Sequence, residues 1–122
     1  MQGAIESGHR VEKVFLRDKT IHPCTGCGVC SQYKKPCPQK DDAAEIIGKM
    51  LAADVIVMAT PVYFYTMSAQ MKTLIDRCCA GYLEIRDKEF YFIVAAAETS
   101  VAAMERTIDG FGDSSTVWRT RP

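Results

Sequence analysis

Apolar positions along this chain alternate between uninterrupted runs and helical stripes. Residues 11–16 (VEKVFL), moderately apolar and twice β-branched, predict a short strand. Residues 17–40 follow as a loop punctuated by Pro23, Gly26, Gly28, Pro36 and Pro38. Asp42 then reads as a helix N-cap, with Glu45 three residues on in capping-box spacing. Ala43, Ile46, Ile47, Met50 and Leu51 form one stripe of the helix it opens. Residues 55–59 (VIVMA) are an unbroken apolar run, ended by Thr60 and Pro61, and such runs mark strands buried on both faces. A second helix is expected over residues 68–79, with Met71, Leu74, Ile75, Cys78 and Cys79 on one side. Residues 90–97 (FYFIVAAA) predict a third strand, again buried on both faces. A last helix over residues 100–111 turns Val101, Met104, Ile108 and Phe111 inward, and residues 112–122 carry no usable period.

Strands alternating with amphipathic helices predict an α/β fold, with a parallel sheet covered by helices on both sides. Right-handed crossovers leave few topologies open. Ligands in such folds bind at the carboxyl ends of the strands. Here those ends lead into the segments that begin at Arg17, Thr60 and Ala97.

Composition narrows the function. The chain has 122 residues, 48% of them hydrophobic and 25% charged, which suits one globular domain spanning residues 1–122. Fifteen basic residues balance fifteen acidic ones, so charge gives no support to nucleic-acid or anionic-membrane partners. The longest apolar run is far too short to span a bilayer. The opening MQGAIESG has neither the basic nor the apolar region of a signal peptide, so the cytoplasm is the default expectation. Six cysteines in such a chain point to metal or redox chemistry before disulfides.

Four of those cysteines fall in the turn-rich loop. Cys24, Cys27 and Cys30 form C-x2-C-x2-C, and Cys37 follows after six residues. Thiolate ligands of a small cubic cluster must converge from a short, tightly folded loop, and Gly26 and Gly28 let the backbone curl. Pro38 follows the fourth cysteine as in bacterial ferredoxins, whose last spacer is three residues rather than six. A four-iron–four-sulfur (4Fe-4S) site is one reading. Others are a four-thiolate zinc site, which usually pairs two separate knuckles, a redox Cys24–Cys27 pair, and a loop of reduced, metal-free thiols. Cys78 and Cys79, on the apolar helix stripe, read as buried structural residues. His9 and His22 read as exposed, and neither is a candidate acid or base.

Residues 60–68 (TPVYFYTMS) join a buried strand to a helix and offer Tyr63, Phe64 and Tyr65 at a strand end. Such a loop can present backbone N–H groups and a flat aromatic edge to a planar ligand. Alone, the three aromatics read sooner as loop-covering hydrophobes, because they come without charge partners. The longer stretch ATPVYFYTMSAQMKTLIDR, residues 59–77, resembles the signature of the flavodoxin-like NADPH-dependent FMN reductases. The upstream PCTGCGVC, the later Cys37 and the Asp pair resemble their iron–sulfur flavoprotein branch. FYFIVAAAET and ERTIDGF fit the same family, so the resemblance runs over about residues 3–111.

That resemblance implies a flavodoxin-like three-layer α/β/α sandwich with a parallel sheet. It implies an FMN-dependent oxidoreductase passing electrons from a nicotinamide or ferredoxin donor to an acceptor. Thr60, Pro61, Val62, Tyr63 and Phe64 would wrap the flavin ring, and Ala97, Glu98 and Thr99 would lie against its other side. Cys24, Cys27, Cys30 and Cys37 would ligate a 4Fe-4S cluster. The family's first strand and phosphate loop have no counterpart here, and a last strand is not expected. FMN occupancy is therefore in question, because a helix N-terminus normally holds the phosphate. A missing strand between residues 11–16 and 55–59 predicts either their direct pairing or self-association through the open edges. The rival expectation is a degenerate, non-catalytic domain of the same fold that is at most metal-binding.

Overall fold

A computed structural model describes the backbone of residues 1–97 and 100–119, with side chains described as far as Gly112. The chain order is α1 (Gln2–Glu6), a 3-10 turn (Leu16–Asp18), α2 (Val29–Gln32), α3 (Ala43–Ala52) and β1 (Val55–Tyr63). β2 (Thr66–Met67), α4 (Ala69–Arg77), a second 3-10 turn (Cys78–Ala80), β3 (Glu89–Ala95) and α5 (Ala102–Arg119) follow.

The sheet has the order β2-β1-β3. β1 and β3 run parallel, from Val55 opposite Glu89 to Pro61 opposite Ala95. α4 supplies the crossover between them, the unit expected of an α/β fold. The sheet is mixed rather than wholly parallel, because β2 folds back antiparallel on β1, with Val62 opposite Met67 and Tyr63 opposite Thr66. β1 therefore continues past Thr60 and Pro61. Pro61 closes the parallel ladder, and the hairpin partner holds the strand beyond it.

Burial on these strands alternates instead of being two-sided. Ile56, Met58, Thr60 and Phe90 are buried. Val55, Val57, Tyr91 and Ile93 stand 47–59% exposed on the opposite face. The buried face joins Ala43, Ile46, Ile47 and Met50 of α3 with Met71 and Leu74 of α4, Cys78, Ile85 and Phe111 of α5 in one core. Phe92 stacks on Phe111 with ring centroids 4.7 Å apart. All three long helices thus share one side of the sheet, and the described residues form two layers, not three. α1 buries none of its residues and leaves the second face uncovered.

Residues 11–16 do not form a strand. Val14 and Leu16 pack on the core from an irregular segment and a 3-10 turn, because no neighbouring strand offers them a ladder. α3 forms where its stripe predicts, but Asp42 makes no capping bond. Its carboxylate accepts from the Thr20 N–H at 2.7 Å, and Asp41 Oδ1 accepts the Ala43 N–H instead. Glu45 pairs with Lys19 and Lys49 rather than closing a capping box. Lys88 Nζ donates to the Leu51 and Ala53 carbonyls, which ties the C-terminal end of α3 to the start of β3. α4 begins at Ser68, whose Oγ accepts the Met71 N–H. α5 extends well beyond the expected end at residue 111. Phe111 and Thr107 face inward, while Val101 and Ile108 are exposed and Met104 is half-buried. No strand follows β3 among the described residues.

Candidate functional site

The carboxyl ends of β1 and β3 carry the predicted ring-binding segments. Tyr63 and Thr66 close a two-residue turn, and both central residues, Phe64 and Tyr65, have positive φ, 48° and 67°. A two-residue hairpin loop of the I′ kind demands this backbone and normally takes Asn-Gly. Two bulky aromatics there hold a conformation that L-residues avoid. They gain little burial in exchange. Phe64 is 97% exposed, and Tyr63 and Tyr65 are also mostly in solvent. The turn is a strained, outward-facing aromatic tip, and such strain clusters at ligand clamps.

The base of the hairpin is buried and hydrogen-bonded. Thr60 is buried, and its Oγ1 accepts the Ser68 N–H at 3.0 Å and donates to the Pro61 carbonyl. Its hydroxyl therefore pins the hairpin to the α4 N-cap. Val62 is half-buried and Pro61 exposed beside the tip. Ala97 lies two residues beyond Ala95, the register partner of Pro61, so its segment leaves the sheet beside the hairpin. Glu98 and Thr99 lie outside the described residues.

The cysteine loop sits at the other end of α4. Cys24 and Cys27 are exposed, Cys30 and Cys37 half-buried, and none of the six cysteines is in a disulfide. Gly26 and Gly28 have φ of 67° and 74°, the curl the spacing predicts, and Gly28 opens α2. Among the described residues no three His, Cys, Asp or Glu side chains converge on a single ion. A zinc ion requires that convergence, with sulfurs about 2.3 Å from one centre. A cubic cluster spreads its thiolates over separate irons and draws on N–H donors to sulfur. Two such donors are present: Gly26 N–H toward Cys24 Sγ at 3.5 Å and Arg77 Nη2 toward Cys37 Sγ at 3.4 Å. Four thiols in one loop, two of them facing N–H donors, are a donor chemistry that suits a cluster's thiolate ligation.

Two residues overlooked by sequence reasoning complete this end. Arg77 and Asp41 form an ion pair at 2.6 Å, with side chains only 2% and 1% exposed. Burial alone would raise the Asp41 carboxyl. The Arg77 guanidinium and the backbone N–H groups of His22 and Ala43 outweigh it and hold the carboxyl well below the usual range. The bond to Asp41, against the opposing effect of burial, holds the Arg77 guanidinium above its usual value. Arg77 Nη1 also donates to the His22 carbonyl at 2.8 Å. Cys79 is not a core residue like Cys78. It lines one pocket with Cys30, Lys34 and Pro36 of the loop, and burial, then the charge and hydrogen bonding of Cys30, raise its pKa. α4 ends at Arg77, and the tighter turn after it leaves Cys78 in the core while Cys79 swings to the loop. His9 is exposed, and exposed His22 reaches Asp41 Oδ2 at 3.3 Å.

A β-α-β unit with parallel strands, an aromatic hairpin at the strand ends and a thiol-rich loop places the chain among the α/β proteins that keep their ligand edge at the carboxyl ends of the strands. The NADPH-dependent FMN reductase family model matches residues 1–113, and the chain belongs to that family, with its flavodoxin-like α/β fold. The chain is similar to an iron–sulfur flavoprotein of Methanocaldococcus jannaschii, 47% identical over 72 residues, which cover 59% of this chain and 37% of that protein. It is 38% identical over 92 residues to an iron–sulfur flavoprotein of Archaeoglobus fulgidus, covering 73% of this chain and 45% of the relative. An FMN-dependent NADH:quinone oxidoreductase of Thiobacillus denitrificans is 31% identical over 70 residues, 48% of this chain and 34% of that protein. The matched stretches thus span less than half the length of these relatives. No described helix is long and apolar enough to cross a membrane.

Proposed function

We propose that this chain supplies the ring-gripping and thiol-bearing parts of an FMN-dependent oxidoreductase that moves electrons between a nicotinamide or ferredoxin donor and an acceptor. The observation that carries this reading is the strained aromatic tip at the carboxyl edge of the sheet. The family and the names of its relatives point the same way. FMN, when bound, supplies the exchange between two-electron and one-electron chemistry. Tyr63 and Phe64 frame its ring, Pro61 and Val62 set the height of that frame, and Thr60 fixes its base. Ala97, Glu98 and Thr99 belong to the segment on the ring's other side. Cys24, Cys27, Cys30 and Cys37 hold a 4Fe-4S cluster in the loop, and Arg77 donates to the last of these sulfurs.

A second copy of the chain is the partner we propose for the uncovered sheet face. Val55, Val57, Tyr91 and Ile93 form an apolar strip beside the unpaired edge of β1, the kind of surface that drives association. Light scattering after size exclusion is expected to report a dimer or larger species, and a monomer at high concentration refutes this.

FMN titration with fluorescence quenching, on protein reconstituted anaerobically with iron and sulfide, tests the main reading. Quenching and a broad visible absorbance shoulder are the expected result. A colourless chain that never quenches FMN leaves only a degenerate, non-catalytic domain of the same fold.

A further inference from the structure

The structure assigns Arg77 a role that neither the family nor the cysteine spacing identifies: it is the positioning residue that ties the cysteine loop to α4 and tunes the group the loop holds. This inference rests on the reading of Cys24, Cys27, Cys30 and Cys37 as cluster ligands. Arg77 is the last residue of α4, a helix otherwise committed to the core by Met71 and Leu74. Its guanidinium points away from that core stripe into the loop. It reaches three acceptors from three separate places in the chain: the His22 carbonyl at 2.8 Å, Asp41 Oδ2 at 2.6 Å and Cys37 Sγ at 3.4 Å. Those residues bracket the loop, because His22 precedes Cys24 and Asp41 follows Cys37. One planar fork therefore clamps both stems of the loop and touches a sulfur within it. Only Arg offers enough fixed donors for this, since Lys is a point charge on a flexible stem.

The electrostatics give the clamp a second consequence. Asp41 pairs with the guanidinium at 2.6 Å and offsets its charge. What remains at Cys37 is a directed N–H···S contact. Such contacts withdraw electron density from a ligating sulfur and favour the reduced form of the group it binds. Removing the contact therefore shifts the midpoint potential to more negative values. The Asp41 carboxylate also accepts the His22 N–H at 2.9 Å, so loss of Arg77 loosens the loop stem even when nothing is bound.

The test uses the full chain as wild type, Arg77→Lys, Arg77→Gln and the double variant Asp41→Asn/Arg77→Gln, which buries no unpaired charge. Circular dichroism confirms folding. Hydrogen exchange at the His22 amide is read without metal. Iron and sulfide content, chelator-driven bleaching and an EPR-monitored redox titration are read after anaerobic reconstitution. The expected result is at least tenfold faster His22 exchange in Arg77→Gln, faster bleaching and a more negative midpoint, with Arg77→Lys intermediate. Should Arg77→Gln fail to fold, the double variant carries the same comparison. A cluster in the wild type with unchanged midpoint and bleaching in the variants overturns the role of Arg77 and spares the ligand reading. A wild type that takes up no cluster overturns the ligand reading and this inference with it.

Discussion

Replacing Phe64 with glycine separates stability from function at the hairpin tip. Phe64 holds φ at 48°. Left-handed backbone costs a bulky L-residue about 1–2 kcal/mol. Glycine relieves that strain but gives back about 0.5–1 kcal/mol through the freedom of the unfolded chain. Lost burial is minor, because the ring is 97% exposed, and it subtracts under about 0.2 kcal/mol. The balance favours Phe64→Gly by about 0.5–1 kcal/mol, an upward melting shift of about 2–5 °C for a domain of this size. The same variant loses one aromatic face of the ring clamp, worth about 1–1.5 kcal/mol, and FMN affinity should fall about tenfold. Differential scanning fluorimetry and FMN quenching read the two effects on one preparation. A melting temperature that stays or falls refutes the strain argument. A stabilised variant with wild-type FMN affinity refutes the clamp.

Three further outcomes are expected. Burial pushes the Cys78 thiol up to about 12, so its neutral form stabilises the fold fully below about pH 9 and progressively less as pH rises through 12. Urea unfolding should therefore show the advantage of wild type over Cys78→Ala shrinking by about 1.4 kcal/mol for each pH unit above 9. The depressed Asp41 carboxyl gives the opposite sign: its contribution is whole above about pH 5 and is lost on acidification. Asp41→Asn should accordingly flatten the acid limb of stability measured between about pH 5 and 2. Phe111→Ala removes a fully buried ring stacked on Phe92 and should destabilise by about 3–5 kcal/mol in chemical denaturation.

The helices were legible because their stripes are local. Ala43, Ile46, Ile47 and Met50 follow from the period alone, and so does the Ser68 start of α4. The one-sided exposure of β1 and β3 was not legible. An all-apolar strand carries no mark of which face has lost its cover, and Val57 and Met58 look alike in sequence. Residues 11–16 failed as a strand for the same reason, since a strand is defined by its neighbour. At the site, the cysteine spacing and the aromatic turn were visible, but Arg77 was not. Its value comes from acceptors at His22, Cys37 and Asp41, 36 to 55 positions away. Cys79 had one overlooked signal: two adjacent cysteines at a helix end cannot both face the same core.

The hairpin also acts as a ruler. β2 occupies the flank of β1 opposite β3, but only at Val62 and Tyr63. Any extra strand laid along that flank can align with positions 55–61 and must halt where Met67 already sits. Whatever completes the sheet is thereby measured to a fixed length, stopping one step short of the aromatics and leaving the tip clear.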